Sequence, residues 1–193
     1  MSKIVIESVE APLNQPGLAV RAAQVLSRAV SLGLYEPADP IRVLGPAVLD
    51  DLWRALARSS VARDATVELL SSAPPKPDRY RVLLDEVYES LEHCPNPEHE
   101  WRQLLEIFSP EVLASMLDIS LSSLRRYAAG ASVAERRPTP AEVADRLHFL
   151  ALVVDSLAGS YNAFGVRRWF ERAFPQLDGQ TPAESLQGGW KPE

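Results

Sequence analysis

The chain has 193 residues, 46% of them hydrophobic, which suits one large domain or two small ones and excludes a wholly disordered protein. A formal net charge of −6 argues against a protein that coats nucleic acid indiscriminately. The single cysteine, Cys94, excludes an internal disulfide framework and a zinc site built on several thiolates. With no signal-peptide pattern in MSKIVIESVE and no membrane-length apolar window, it sets the expectation of a cytoplasmic protein that does not enter the membrane.

In chain order, the first element is strand-like: Ile4 and Ile6 alternate with Val5 and Glu7 up to Val9. Six residues cannot make a sheet alone, so this is either an edge strand awaiting a partner or a loose arm. Helical spacing then takes over. Leu18, Ala22, Val25 and Ala29 make one apolar stripe, and Leu49, Leu52, Trp53 and Leu56 make another, opened by Pro46. Val61 to Leu70 reads as a short helix, stopped by the prolines of Ala73-Pro74-Pro75-Lys76-Pro77, a hinge or rigid elbow. A third stripe runs Tyr80, Leu83, Leu84, Val87, Tyr88, Leu91.

Two prolines in His93-Cys94-Pro95-Asn96-Pro97 mark a domain boundary. His93, Cys94 and His99 lie close in sequence, but no second pair of ligands matches them, and a closed zinc site wants four. We therefore assign no metal. His148, beside Leu147 and Phe149, reads as an ordinary partly buried histidine.

Beyond the boundary, Trp101, Leu104, Leu105 and Phe108 form the stripe of a first helix. Ser109, followed by Pro110 and Glu111, is the expected N-cap of a second, running to about Leu117. Asp118 and Ile119 make a turn, and Ser120 caps a third helix whose inner face is Leu121, Leu124 and Ala128 and whose end is Gly130. Small Ala114 lets the pair cross closely, as in a helix-turn-helix. The outer face carries Ser122, Ser123, Arg125, Arg126 and Tyr127. With Ser120 these are the candidate DNA-binding residues, since hydroxyls and guanidinium groups suit phosphates and base edges. Residues 120–174 hold eight Lys and Arg against five Asp and Glu, which is either a local basic face or an ordinary solvated one.

The run LASMLDISLSSLRRYAAG, residues 113–130, resembles the helix-turn-helix of the Xre repressor-like group. AEVADRLHFLALVVDSL follows as one long helix with Val143, Leu147, Leu150, Ala151 and Val154 facing inwards. RRWFERAFPQLDGQTPAESL is then similar to the C-terminal domain of the Xre/MbcA/ParS family of antitoxins. The features that carry the likeness are Trp169, Pro175, Gly179, Thr181, Pro182 and Leu186. It covers roughly residues 100–190. The expected fold is all-α: an N-terminal helical extension of unknown role (1–95), a helix-turn-helix unit (96–138) and a C-terminal helical toxin-binding domain (139–193).

The resemblance implies an antitoxin that binds and occludes a RES-domain, NAD-consuming toxin; through the helix-turn-helix it is expected to repress its own operon by binding operator DNA, and as DNA readers of this shape usually work on paired half-sites, to do so as a homodimer. Residues 1–95 have no counterpart in the shortest family members, which leaves the toxin's identity open. Val166, Trp169, Phe170, Ala173 and Phe174 form a wide apolar face that either binds a partner or closes the core. The toxin-facing candidates are therefore Leu177, Asp178, Gly179 and Gln180, together with the tail residues Gly188, Gly189, Trp190 and Lys191. That tail is either a pliable plug for the toxin's cleft or a frayed end. No nucleophile with base, acid/base pair or phosphate-binding loop can be assembled from spacing, so no catalysis and no cofactor are expected. The alternative is a stand-alone transcriptional regulator whose C-terminal domain dimerises.

Overall fold

Proline sets where most of these helices begin, because its fixed φ suits a first turn and its missing N–H is not needed there. In the computed structural model, which describes residues 4–71, 75–129 and 138–192, α1 (Pro16–Ser31), α2 (Pro46–Arg58) and α4 (Pro77–His93) all start this way. The chain divides into two units, Met1–Cys94 and Pro95–Glu193.

The first unit also contains α3 (Arg63–Leu69) and two strands, β1 (Ile4–Val9) and β2 (Ile41–Leu44). The strands pair in parallel, with Ile4 opposite Ile41 and Val9 opposite Leu44 and a register shift between Ile4 and Ser8. The crossover that a parallel pair demands is α1. This corrects the all-α expectation: the protein is mostly helical with a small two-stranded sheet. The partner strand IRVL was missed because it is four residues long, lies between Pro40 and Gly45, and shows no alternation, only its end residues being buried.

Leu18, Ala22, Val25, Leu26 and Ala29 of α1 are buried, as are Leu83, Leu84, Val87 and Leu91 of α4, and these two helices pack together. Arg21–Asp85 at 2.6 Å and Arg28–Glu92 at 2.7 Å bridge the seam two turns apart along the same side. Leu49, Leu52, Trp53 and Leu56 of α2 are buried too.

The second unit comprises α5 (Pro97–Ile107), α6 (Pro110–Met116), α7 (Leu121–Ala128), α8 (Ala141–Ala158), α9 (Ala163–Glu171), a 3-10 turn at Pro175–Leu177 and α10 (Pro182–Ser185). Its starts are written in the sequence. Ser109 Oγ accepts from Val112 N, Ser120 Oγ from Ser123 N, and Asn162 Oδ1 from Gly165 N. Thr181 and Glu184 form a reciprocal capping box on α10, which holds the Glu184 carboxyl below its ordinary value, chiefly through the Thr181 backbone N–H. The expected end of α7 at Gly130, Pro74 of the expected elbow, and Arg136 and Arg137 of the basic stretch lie outside the described residues. Among the described residues no single helix is long and apolar enough to cross a membrane.

In the first unit, burial pushes the Tyr80 hydroxyl up to about 12; a hydrogen bond with Trp53 opposes the shift and negative Asp50 adds to it. The unfolded value is about 10, so the folded state holds this proton longer. The stability this contributes is whole below about pH 10 and is lost as the pH rises through the folded value. Urea denaturation at alkaline pH should show a shallower loss of stability for Tyr80→Phe than for the wild type. Equal slopes would mean that Tyr80 is not the group responsible.

Candidate functional site

The turn between α6 and α7 is built on Asp118, which takes a left-handed φ of 54°, a region that Asp tolerates better than most side chains. Ile119 N closes it by donating to Ala114 O at 3.0 Å. Ala114 is itself buried, and its small side chain lets α6 and α7 meet. Only Leu124 of α7 is buried. Ser120, Ser122, Arg125 and Arg126 are exposed, while Ser123 and Tyr127 are half-buried. Ser120 Oγ also contacts the Ser122 and Ser123 hydroxyls at 3.0 and 2.9 Å, and Arg126 donates to Ser123 Oγ at 3.2 Å. The structure thus brings the six sequence-predicted DNA-binding residues together on one helix, with a hydroxyl cluster at its N-terminus and two guanidinium groups in its last turn.

The expected toxin-facing residues fall into two groups. Leu177 to Gln180 belong to a closed loop in which Leu177 N and Gly179 N donate to Phe174 O, and Phe174 N donates to Gln180 O. Asp178, Gly179 and Gln180 are exposed. The tail group is differently placed. Trp190 is half-buried, its indole N–H donates to Met116 O at 2.8 Å, and its ring meets Phe149 edge-on at 5.1 Å. The tail is therefore no loose plug: Trp190 cannot enter a partner's cleft without breaking these contacts. Gly188, Gly189 and Lys191 are exposed beside it.

Of the expected apolar face, Val166 and Phe170 of α9 are buried and Trp169 is half-buried, while Ala173, exposed, and Phe174, half-buried, lie past the end of the helix. Phe170 lies edge-on to Phe108 at 5.0 Å and to Trp169 at 5.1 Å, so these rings mainly close the core. The exposed aromatic surface lies upstream, at Phe164 and Tyr161, exposed by 63% and 47%. Sequence reasoning passed over both. The available signal was an aromatic residue on each side of the Asn162 cap, with Phe164 two positions before the buried Val166 and so on a different face of α9.

Two further residues were missed, Arg146 and Glu100, because both look like surface residues in the sequence. Arg146 is 5% exposed and donates from Nε to Trp190 O at 2.8 Å, from Nη1 to Leu117 O at 3.1 Å and from Nη2 to Glu142 at 2.7 Å. Glu100 is fully buried. Its Oε1 lies 2.7 Å from His148 Nδ1 and accepts from Asn96 N at 3.0 Å. Among the described residues no group of His, Cys, Asp or Glu is arranged to hold a metal ion. His93 and Cys94 are exposed, and His93 Nδ1 lies 2.9 Å from Glu89 O.

Comparison with protein-family models, with curated proteins and with solved structures gives no match to this chain.

The Glu100–His148 contact makes a direct prediction. Removing one partner of a buried pair leaves the other uncompensated, at a cost of about 3–5 kcal/mol, whereas replacing both with apolar residues is often near neutral. His148→Ala is expected to lose stability on that scale in denaturant titration, and Glu100→Leu combined with His148→Leu to regain most of it. A loss below about 1 kcal/mol for His148→Ala would show that the pair is not a structural anchor.

Proposed function

We propose that this protein is an antitoxin of a type II toxin-antitoxin pair, with α6 and α7 as a helix-turn-helix that reads its own operator and the C-terminal part of the second unit as the surface that neutralises a RES-domain, NAD-consuming toxin. The observation that carries the reading is α7: one buried leucine fixes it, Ser122 and both arginines are exposed with the Ser120 cap, and Ser123 is half-buried beside them. Such a face matches the chemistry of phosphates and guanine edges. The likeness of residues 100–190 to the Xre/MbcA/ParS antitoxins supports the toxin half, and the exposed Phe164 and Tyr161 supply apolar area for a partner.

On this reading the protein has no catalytic residues and acts as a homodimer in the cytoplasm. Toxin contact is assigned to Leu177–Gln180 and to the tail surface at Gly188, Gly189, Trp190 and Lys191. A second reading, a stand-alone regulator, draws on the docking of Trp190 against Met116 and Phe149, since a tail held by its own unit is not offered to a partner.

Two measurements test the proposal. Arg125→Ala and Arg126→Ala should each weaken operator binding by about 1–3 kcal/mol if the arginine contacts a base, and should lower the salt dependence if it contacts phosphate. Unchanged affinity for both variants removes α7 as the reader. Co-expression with the product of the adjacent reading frame should restore growth and cellular NAD. A harmless neighbour, or lethality that persists, overturns the antitoxin reading and leaves the regulator.

A further inference from the structure

A guanidinium at 5% exposure stays in a protein interior only where its N–H groups find acceptors. Arg146 finds them on three separate pieces of chain: Glu142 one turn back on α8, Leu117 O at the end of α6, and Trp190 O in the C-terminal tail. The end of α6 needs such donors. The last carbonyls of a helix have no intrahelical partner, and a seven-residue helix has little else to hold its end in place.

Here the Trp190 indole takes Met116 O while Arg146 takes Leu117 O, and the same arginine then holds Trp190 by its own carbonyl. The circuit closes on itself. Gly188 and Gly189, at φ of 85° and 77°, give the tail a backbone path that L side chains rarely follow. The next residue after the two captured carbonyls is Asp118, and α7 begins three residues later. The direction of α7 is therefore set from the point where the circuit grips.

We propose that the C-terminal tail is a latch across the end of α6, and that Arg146 and Trp190 are positioning residues which fix the α6–α7 turn and thereby the pose of α7. The consequence for DNA rests on the reading of α7 given above; the latch itself rests on the hydrogen bonds. Loss of the tail then loosens α7 without removing any phosphate-contacting group.

The test uses the full chain and two variants. Trp190→Phe keeps a ring against Phe149 but removes the donor to Met116 O, and a chain ending at Gln187 removes the whole latch. Hydrogen–deuterium exchange is read at the amides of Asp118, Ile119, Ser123 and Leu124, with amides of α8 and α9 as reference. Binding is read on the duplex upstream of the protein's own gene across a salt series.

For Trp190→Phe the expected result is exchange about tenfold faster at the four turn amides, the scale of one lost hydrogen bond, with α8 and α9 unchanged. Truncation should accelerate it further. Operator affinity should fall with an unchanged salt slope, since the phosphate contacts are intact. Wild-type exchange at the turn in both variants overturns the latch, and so does acceleration spread equally over α8 and α9, which would make the tail a general stabiliser. Faster exchange at the turn with undiminished affinity overturns the link from latch to α7. If the wild-type protein itself does not bind the duplex, the DNA reading falls, and the exchange data still decide the latch.

Discussion

Two ionisable side chains of α8, Arg146 and His148, are buried two positions apart, and the second unit is arranged around that constraint. Residues two apart on a helix point to different sides, so burying both requires cover on more than one face of α8. Each burial also needs a specific polar answer, because an unmatched charge in an apolar interior is far costlier than a hydrogen bond is favourable. His148 is answered by Glu100 of α5 at 2.7 Å. Arg146 is answered by the end of α6 and by the tail. Apolar contacts alone would tolerate sliding of these pieces over α8, whereas directional donors and acceptors do not.

The same constraint accounts for what could be read in the sequence and what could not. Local rules held at the caps and helix starts among the described residues. Ser109 and Ser120 cap as their positions require, Pro46 and Pro110 open helices, and the inward residues Val143, Leu147, Leu150, Ala151 and Val154 of α8 are buried together. Failures came where an ordinary surface residue is claimed by a distant partner. Glu100 and His148 lie 48 positions apart, Arg146 and Trp190 44, and no periodicity encodes such pairs. The strand β2 failed for a related reason: four residues acquire strand identity from β1, more than thirty positions upstream. The grouping of Ser120 to Tyr127 on one helix was legible because it is local, and the fixed position of Trp190 was not.

The first unit follows a different logic. Its long seam between α1 and α4 is apolar in the middle, with Arg21–Asp85 and Arg28–Glu92 along one margin. Partly exposed ion pairs of this kind contribute little net stability but disfavour a shifted register, since sliding one helix by a turn would separate both arginines from these partners. The small parallel sheet adds few hydrogen bonds. Its effect is to tie the N-terminal strand to the start of α2, through Val9 opposite Leu44 and the bond from Glu10 N to Leu44 O at 3.0 Å.

Burial changes the meaning of the basic stretch from 120 to 174. Arg146 carries its charge inside the unit, and Arg168 lies 3.5 Å from Glu171, so neither adds much to an external field. Arg125 and Arg126 are exposed on the α7 face, and Arg167 and Arg172 are exposed away from it, in a chain whose net charge is −6. Non-specific binding to DNA scales with the number of phosphates neutralised, so on the proposed function a face this small on an acidic protein would bind random sequence weakly. On the proposed function, useful operator affinity must then come from base contacts and from joining two such faces on paired half-sites, where the second contact is made at high effective concentration. The geometry of α7 matters more under that condition than its charge. Two helices engage paired half-sites together only if each is held at a fixed angle, which is the property that a capped α6, a left-handed Asp118 and an answered Arg146 confer.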